Sequence, residues 1–253
     1  MLDPTRIPHV MAALQRTWEA QPNLTLTELL ARLAARGVSR VTTDEEFLAL
    51  LGQEIAEHPE KIEGAAAEIE VRAIVRTEGP ARTFTIDPWV VATHGYAPRA
   101  HRNAARSGAQ QRAPEQPTAW DYRSIDRCRP GAPLRITDAN GVQQRLGVVR
   151  ELQVIERGLA HEEPPAPVDL SGLRRGSDGA HSAWLVLFST GSTVLAEHRL
   201  HVARVGGRHV EFAAHPWVEL RQCRVGAELR VDSPVSVDWS GLGLVRRITP
   251  LRA

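Results

Sequence analysis

Two stretches of this sequence repeat each other in order. Phe84-Thr85-Ile86-Asp87-Pro88-Trp89-Val90 matches Phe212-Ala213-Ala214-His215-Pro216-Trp217-Val218, and at the same offset Arg76 and Gly79 match Arg204 and Gly207. Further on, Cys128-Arg129-Pro130-Gly131-Ala132-Pro133-Leu134-Arg135-Ile136 matches Cys223-Arg224-Val225-Gly226-Ala227-Glu228-Leu229-Arg230-Val231. Gly147-Val148-Val149-Arg150 then matches Gly243-Leu244-Val245-Arg246. Ordered identity at separated blocks is the mark of a unit copied within a chain. Two copies of this size predict paired domains or pseudo-twofold halves, not a solenoid.

Each copy reads as short strands. Glu68 to Val75 and Arg82 to Ile86 flank the turn signal Glu78-Gly79-Pro80, and Leu134 to Thr137 and Leu146 to Ile155 flank Ala139-Asn140-Gly141. In the second copy, Leu185 to Phe188 and Val194 to His198 flank Thr190-Gly191, and Val202 to Val205 meets Arg208 to Phe212 across Gly206-Gly207. Leu229 to Val231 and Leu242 to Ile248 complete it. Short strands with glycine turns predict a small barrel resembling an SH3-like or OB-like barrel in each copy. One larger sandwich built from both is the alternative. Trp89 and Trp217 follow a proline at the same point of the match, where a tryptophan serves either as a corner of the core or as a paired aromatic recognition surface.

The first copy, residues 66–155, carries an insertion near 93–123 that the second, 183–253, lacks. Its core is rich in Ala, Arg, Gln and Pro without apolar periodicity, the pattern of a mobile loop. Arg99, Arg102, Arg106 and Arg112 lie in it, with only Glu115 opposing, so it could act as a basic arm toward phosphates. Residues 156–182, with Pro164, Pro165 and Pro167 and a Gly-rich end, read as the connector between copies.

Residues 1–62 read as three helices. Val10, Met11, Leu14 and Trp18 recur at three- and four-residue steps. Leu26, Leu29, Leu30 and Leu33 do the same, behind Thr25 and Glu28 at capping-box spacing and before Gly37 as a left-handed C-cap. Thr43 and Glu46 repeat the box ahead of Phe47, Leu48, Leu51 and Ile55. The run Val10, Leu14-Gln15, Trp18, Pro22-Asn23-Leu24, Leu26, Leu30, Leu33-Ala34, Gly37 and Thr43-Asp44 resembles the YihD-like family of small bacterial helical proteins. That resemblance covers about a fifth of the chain and implies a helical fold and no chemistry.

Residues 1–63 hold six basic and ten acidic side chains, whereas the whole chain has a formal charge of +1. A helix carrying Asp44, Glu45, Glu46, Glu54 and Glu57 would repel phosphates, which argues against a DNA-reading helix. All basic residues except Lys61 are arginine, a bias that follows from a GC-rich genome and is weak evidence for nucleic-acid binding. The two cysteines make neither a disulfide framework nor a metal set, and the sequence has no P-loop, Rossmann fingerprint, HExxH or nucleophile elbow. Among ten histidines, only His215, beside Pro216 and Trp217, invites a ligand role. There is no apolar run of membrane-spanning length and no secretory leader pattern, so a cytoplasmic protein is expected.

The sequence therefore predicts an α+β chain: an acidic three-helix domain followed by two duplicated β-barrel modules. The function expected is that of a non-enzymatic interaction or adaptor protein with a protein partner and no cofactor or metal. Trp89, Trp217, His215 and the four loop arginines are the candidate surface. Nucleic-acid binding through the barrels and the Arg-rich loop is the alternative.

Overall fold

The computed structural model describes residues 4–94, 115–159, 168–177, 183–207 and 209–252. Three helices come first: α1 (Arg6–Glu19), α2 (Leu26–Ala35) and α3 (Asp44–Glu57). Both capping boxes form. Thr25 accepts from Glu28 N–H while Glu28 accepts from Thr25 N–H, and Thr43 and Glu46 do the same. These backbone and hydroxyl bonds hold the carboxyls of Glu28 and Glu46 below the usual range. Gly37 ends α2 at φ 110°, with its N–H on Ala34 O and the Val38 N–H on Leu33 O, which closes the orphan carbonyls of the last turn.

The helices bury Ala13, Leu29, Leu33 and Leu51, with Leu14, Leu24, Val38, Phe47 and Leu48 packed around them. Here the expected stripes are corrected. Met11, Trp18, Leu26 and Leu30 are exposed, and α1 turns small residues inward, Ala13 and Thr17, against α3. Small side chains permit that close approach, and it rotates the larger apolar row away from the core.

The strands that follow are β1 (Gly64–Ala65), β2 (Val71–Glu78), β3 (Arg82–Ile86), β4 (Val90–Thr93), β5 (Thr118–Arg127), β6 (Pro133–Asp138) and β7 (Gln143–Arg157). β2 to β7 form an antiparallel meander. β7 returns to β2 and β5 pairs with β6, so six strands close into a barrel, with β1 added beside β5. Val75, Phe84, Ile86, Leu134, Ile136 and Leu152 are fully buried. The stretch read as an insertion near 93–123 thus contains the first part of β5. Register shifts between Tyr122 and Ser124 and between Ile125 and Arg127 break its two-residue period.

The rest of the chain gives β8 (Leu173–Arg174), β9 (Ala183–Phe188), β10 (Thr193–Ala196), β11 (Leu200–Gly206), β12 (His209–His215), β13 (Glu219–Gln222), β14 (Arg230–Asp232) and β15 (Val245–Arg252). They form a five-stranded sheet in the order β12-β11-β10-β9-β15 and a three-stranded sheet in the order β14-β13-β8. An isolated bridge joins Glu228 to Leu244. Part of the expected connector is structural: Leu170 is buried, and β8 pairs with β13. Leu170, Val186, Phe188, Val194, Leu200, Trp217, Leu220, Leu229 and Ile248 belong to one core. Each such burial contributes about 1.5–3 kcal/mol.

By compactness the chain divides into two units, Met1–Ala81 with Ile86–Pro88 and Tyr122–His161, and Arg82–Thr85 with Trp89–Asp121 and Glu162–Ala253. In the first, a buried polar network ties the helices to β7. Glu54, wholly buried, accepts from Gln21 Nε2 at 3.1 Å and Arg32 Nη1 at 3.2 Å, with Arg36 Nη1 3.2 Å from its other oxygen. His58 Nδ1 lies 3.0 Å from Leu152 O, and Arg157 donates to Ala56 O. In the second, Ala92, Ala183, Leu185, Leu195 and Leu251 form a smaller apolar cluster.

Candidate functional site

The matched tryptophans do not come together as a recognition surface. Trp217 is 4% exposed, packs in the core, and donates from Nε1 to Glu197 O at 2.8 Å. Trp89 is half-buried in the turn between β3 and β4. Their places in the strand order also differ: Phe84 and Trp89 belong to the second strand of a meander and its exit, Phe212 and Trp217 to the fourth. Phe84 is fully buried, whereas Phe212 is 42% exposed. The Phe-to-Trp part of the sequence match thus joins unlike positions. Proline is tolerated at strand ends whatever their place in the sheet, so an aromatic preceded by a proline recurs at unlike exits and the match misleads.

His215 ends β12 half-buried, with its ring edge-on to Trp239 at 5.5 Å. His198 and His201 approach edge-on at 6.2 Å. Among the described residues, no group of three His, Cys, Asp or Glu side chains is arranged to hold a metal ion. Burial pushes the thiols of Cys128 and Cys223 up to about 12, so both are protonated and inert at neutral pH. Arg99, Arg102, Arg106 and Arg112 lie outside the described residues.

What sequence reasoning missed is on the helices. Ile7, Met11, Leu14 and Trp18 project within about 60° of one another at about 100° per residue. Ile7 and Met11 are each 56% exposed and Trp18 39%. The indole N–H of Trp18 donates to Leu24 O at 2.8 Å, just before α2. That bond carries the α1 row toward Leu26 and Leu30, which are also exposed. The result is an apolar face with a fixed aromatic in it, the kind of anchor that dominates protein interfaces because little rotamer entropy remains to be lost. The Glu54 network sets the face from behind by fixing α2 against α3. The Arg36 pair beside it holds the Glu57 carboxyl below its usual range. The available signal was excess: α1 carries more large apolar residues than its one packed face can cover.

Comparison with protein-family models, with curated proteins and with solved structures gives no match to this chain. No helix among the described residues is long and apolar enough to cross a membrane.

Proposed function

We propose that this chain is a non-enzymatic interaction protein that docks a protein partner, and that the α1–α2 face is its docking surface. The observation that carries the reading is Trp18, 39% exposed yet held by its hydrogen bond to Leu24 O, in line with exposed Ile7 and Met11. Large apolar side chains left exposed along one row of a helix mark a contact site. In affinity capture, a Met11→Glu/Leu30→Glu variant keeps its helical circular dichroism and loses a stoichiometric partner that the native chain retains. Absence of any stoichiometric partner for the native chain overturns the reading.

We infer further that the two β modules descend from one copied unit, related by a different frame from the tryptophan match. Support comes from paired bonds. Ile62 N–H donates to Cys128 O and Leu170 N–H to Cys223 O, both at 2.9 Å. Gly131 N–H donates to Val149 O and Gly226 N–H to Val245 O. Val149 N–H donates to Ala132 O and Val245 N–H to Ala227 O. Tyr122 Oη donates to Asp87 O as Trp217 Nε1 donates to Glu197 O, in each case just past the second strand. The modules serve in this reading as the platform of an adaptor. The likeness of the helices to the YihD-like family remains an inference about fold. Nucleic-acid binding through the β-barrels and the Arg-rich loop is the alternative reading, and its four loop arginines lie outside the described residues.

A further inference from the structure

β12 is the terminal strand of its sheet, paired to β11 along seven residues and to nothing on its other side among the described residues. Every residue from His209 to Ala214 is exposed, and His215 is half-buried. In an antiparallel ladder alternate residues direct both N–H and C=O away from the paired neighbour, so such a strand is a template for another. Folded proteins blunt these edges with cations or proline. The opposite edge of this sheet has both, with Arg246, Arg247 and Pro250 in β15. β12 has neither Lys, Arg nor Pro, and one charge, Glu211.

The side chains of β12 are complementary to themselves. Val210, Phe212 and Ala214 share one face, opposite Val205, Ala203 and His201 of β11; His209, Glu211, Ala213 and His215 share the other. If two copies of β12 run antiparallel with Phe212 at the twofold axis, Phe212 faces Phe212 and Val210 faces Ala214. Glu211 then faces Ala213, and His209 faces His215. One face is wholly apolar, no two carboxylates meet, and the pairing closes as an isologous dimer. Ala214 O accepts from Arg199 Nη2 at 2.9 Å and keeps a second lone pair for a ladder bond. A formal charge of +1 leaves little repulsion between whole chains.

We propose that β12 is a self-association edge, and that two copies of this chain join there into one continuous ten-stranded sheet, doubling the five strands of each. This is independent of the α1–α2 face. Sedimentation of the full chain across a concentration series is the test, with a dimer expected for the native protein. Phe212→Asp places two carboxylates face to face and weakens the dimer about 100-fold or more, two losses of about 1.4 kcal/mol or greater. Val218→Asp, exposed but outside the strand, leaves it intact. In a separate arm, Phe212→Cys crosslinks to its own copy through a short bis-maleimide, while the buried native thiols stay silent. A native chain that remains monomeric at every concentration overturns the proposal, as does a dimer that survives Phe212→Asp or resists crosslinking at position 212. A monomer that instead binds an extended peptide also overturns it, and assigns the edge to another occupant.

Discussion

The β2–β7 strands and the β8–β15 strands keep the same hydrogen bonds around the turns after Cys128 and Cys223, yet among the described residues the former close into a barrel and the latter form two sheets. In the first, β5 is a single strand that pairs with β4 at its start and with β6 at its end. In the second, the corresponding path is cut at Pro216-Trp217 into β12 and β13, and among the described residues β14 and β15 lie in different sheets, with the isolated bridge of Glu228 to Leu244 just ahead of them. Pro133 and Val148 pair at the matching place in the first module, within a full ladder. Proline has no N–H to give a ladder, and Pro216 falls in the gap between β12 and β13, one residue before the bracing aromatic. The difference teaches that the turn and the brace define the module, while closure depends on whether one strand runs unbroken.

Transplanting the break gives the largest effect. Asp121 precedes Tyr122 as Pro216 precedes Trp217, and it lies opposite Val90 within the β4–β5 ladder. Asp121→Pro removes a donor there and also the ion pair with Arg247, so we expect a loss of about 3 kcal/mol or more in urea unfolding. An unchanged midpoint would mean that proline is not what separates the two modules.

The matched glycines, Gly147 within β7 and Gly243 just before β15, give the next largest effect. Gly147 has φ 97°, and a Cβ there would lie 2.8 Å from Glu78 O and 3.0 Å from Pro80 O. Gly243 has φ 78°, and its Cβ would meet Ser189 Oγ at 2.5 Å and Thr190 Cγ2 at 3.1 Å. Both substitutions carry the left-handed penalty, but backbone cannot yield as a hydroxyl rotor can. Gly147→Ala is expected to cost about 3 kcal/mol and Gly243→Ala about 1–2 kcal/mol by chemical denaturation. Equal costs would remove the distinction between a rigid and a yielding contact.

The cysteines sharpen the comparison through pH. Both thiols are raised by burial to about 12, well above a free thiol. A raised pKa in the folded state means that the unfolded chain releases the proton first as pH climbs. Stability is therefore complete below pH 8.5 to 9 and falls from there toward pH 12, by about 1.4 kcal/mol per pH unit per thiol. Cys128→Ala and Cys223→Ala should each flatten that alkaline slope by the same amount in thermal melts at pH 8 and 10. A slope changed by only one of them would separate the two sites.

Much of this was legible in advance. The capping boxes at Thr25 and Thr43, the glycine end of α2 and most strands follow from local patterns, because they depend on residues within one or two turns. The sequence match keeps the same hydrogen bonds only in its Cys128 and Cys223 half, where glycine turns and buried apolar residues recur together. The Phe84–Phe212 half shows the limit: two strand exits share a local chemistry while occupying different places in the sheet, and strand order is not written in either. The α1–α2 face and the open edge of β12 were hidden for a related reason. Apolar periodicity reports that a face exists, but burial is decided by partners distant in sequence, as when Ala13 and Thr17 rather than Met11 turn toward α3.

The smallest effect tests the brace itself. Tyr122 is 5% exposed, and its hydroxyl donates to Asp87 O at 2.8 Å; burial, with Asp87 nearby, raises its pKa far above the ordinary value, so it stays a donor at any workable pH. Tyr122→Phe keeps the ring and removes the bond, which leaves a buried carbonyl short of one partner and should cost about 1 kcal/mol. Trp217→Phe removes the equivalent bond and also ring volume, so it should cost more, about 2–3 kcal/mol. The volume term is separable: Tyr122→Leu in the first module loses both bond and ring volume, and should approach the Trp217→Phe value. If Tyr122→Phe proves neutral while Tyr122→Leu is costly, the aromatic acts by filling space alone. The agreement between Tyr122–Asp87 and Trp217–Glu197 would then be a coincidence of geometry rather than a device held in common by the two modules.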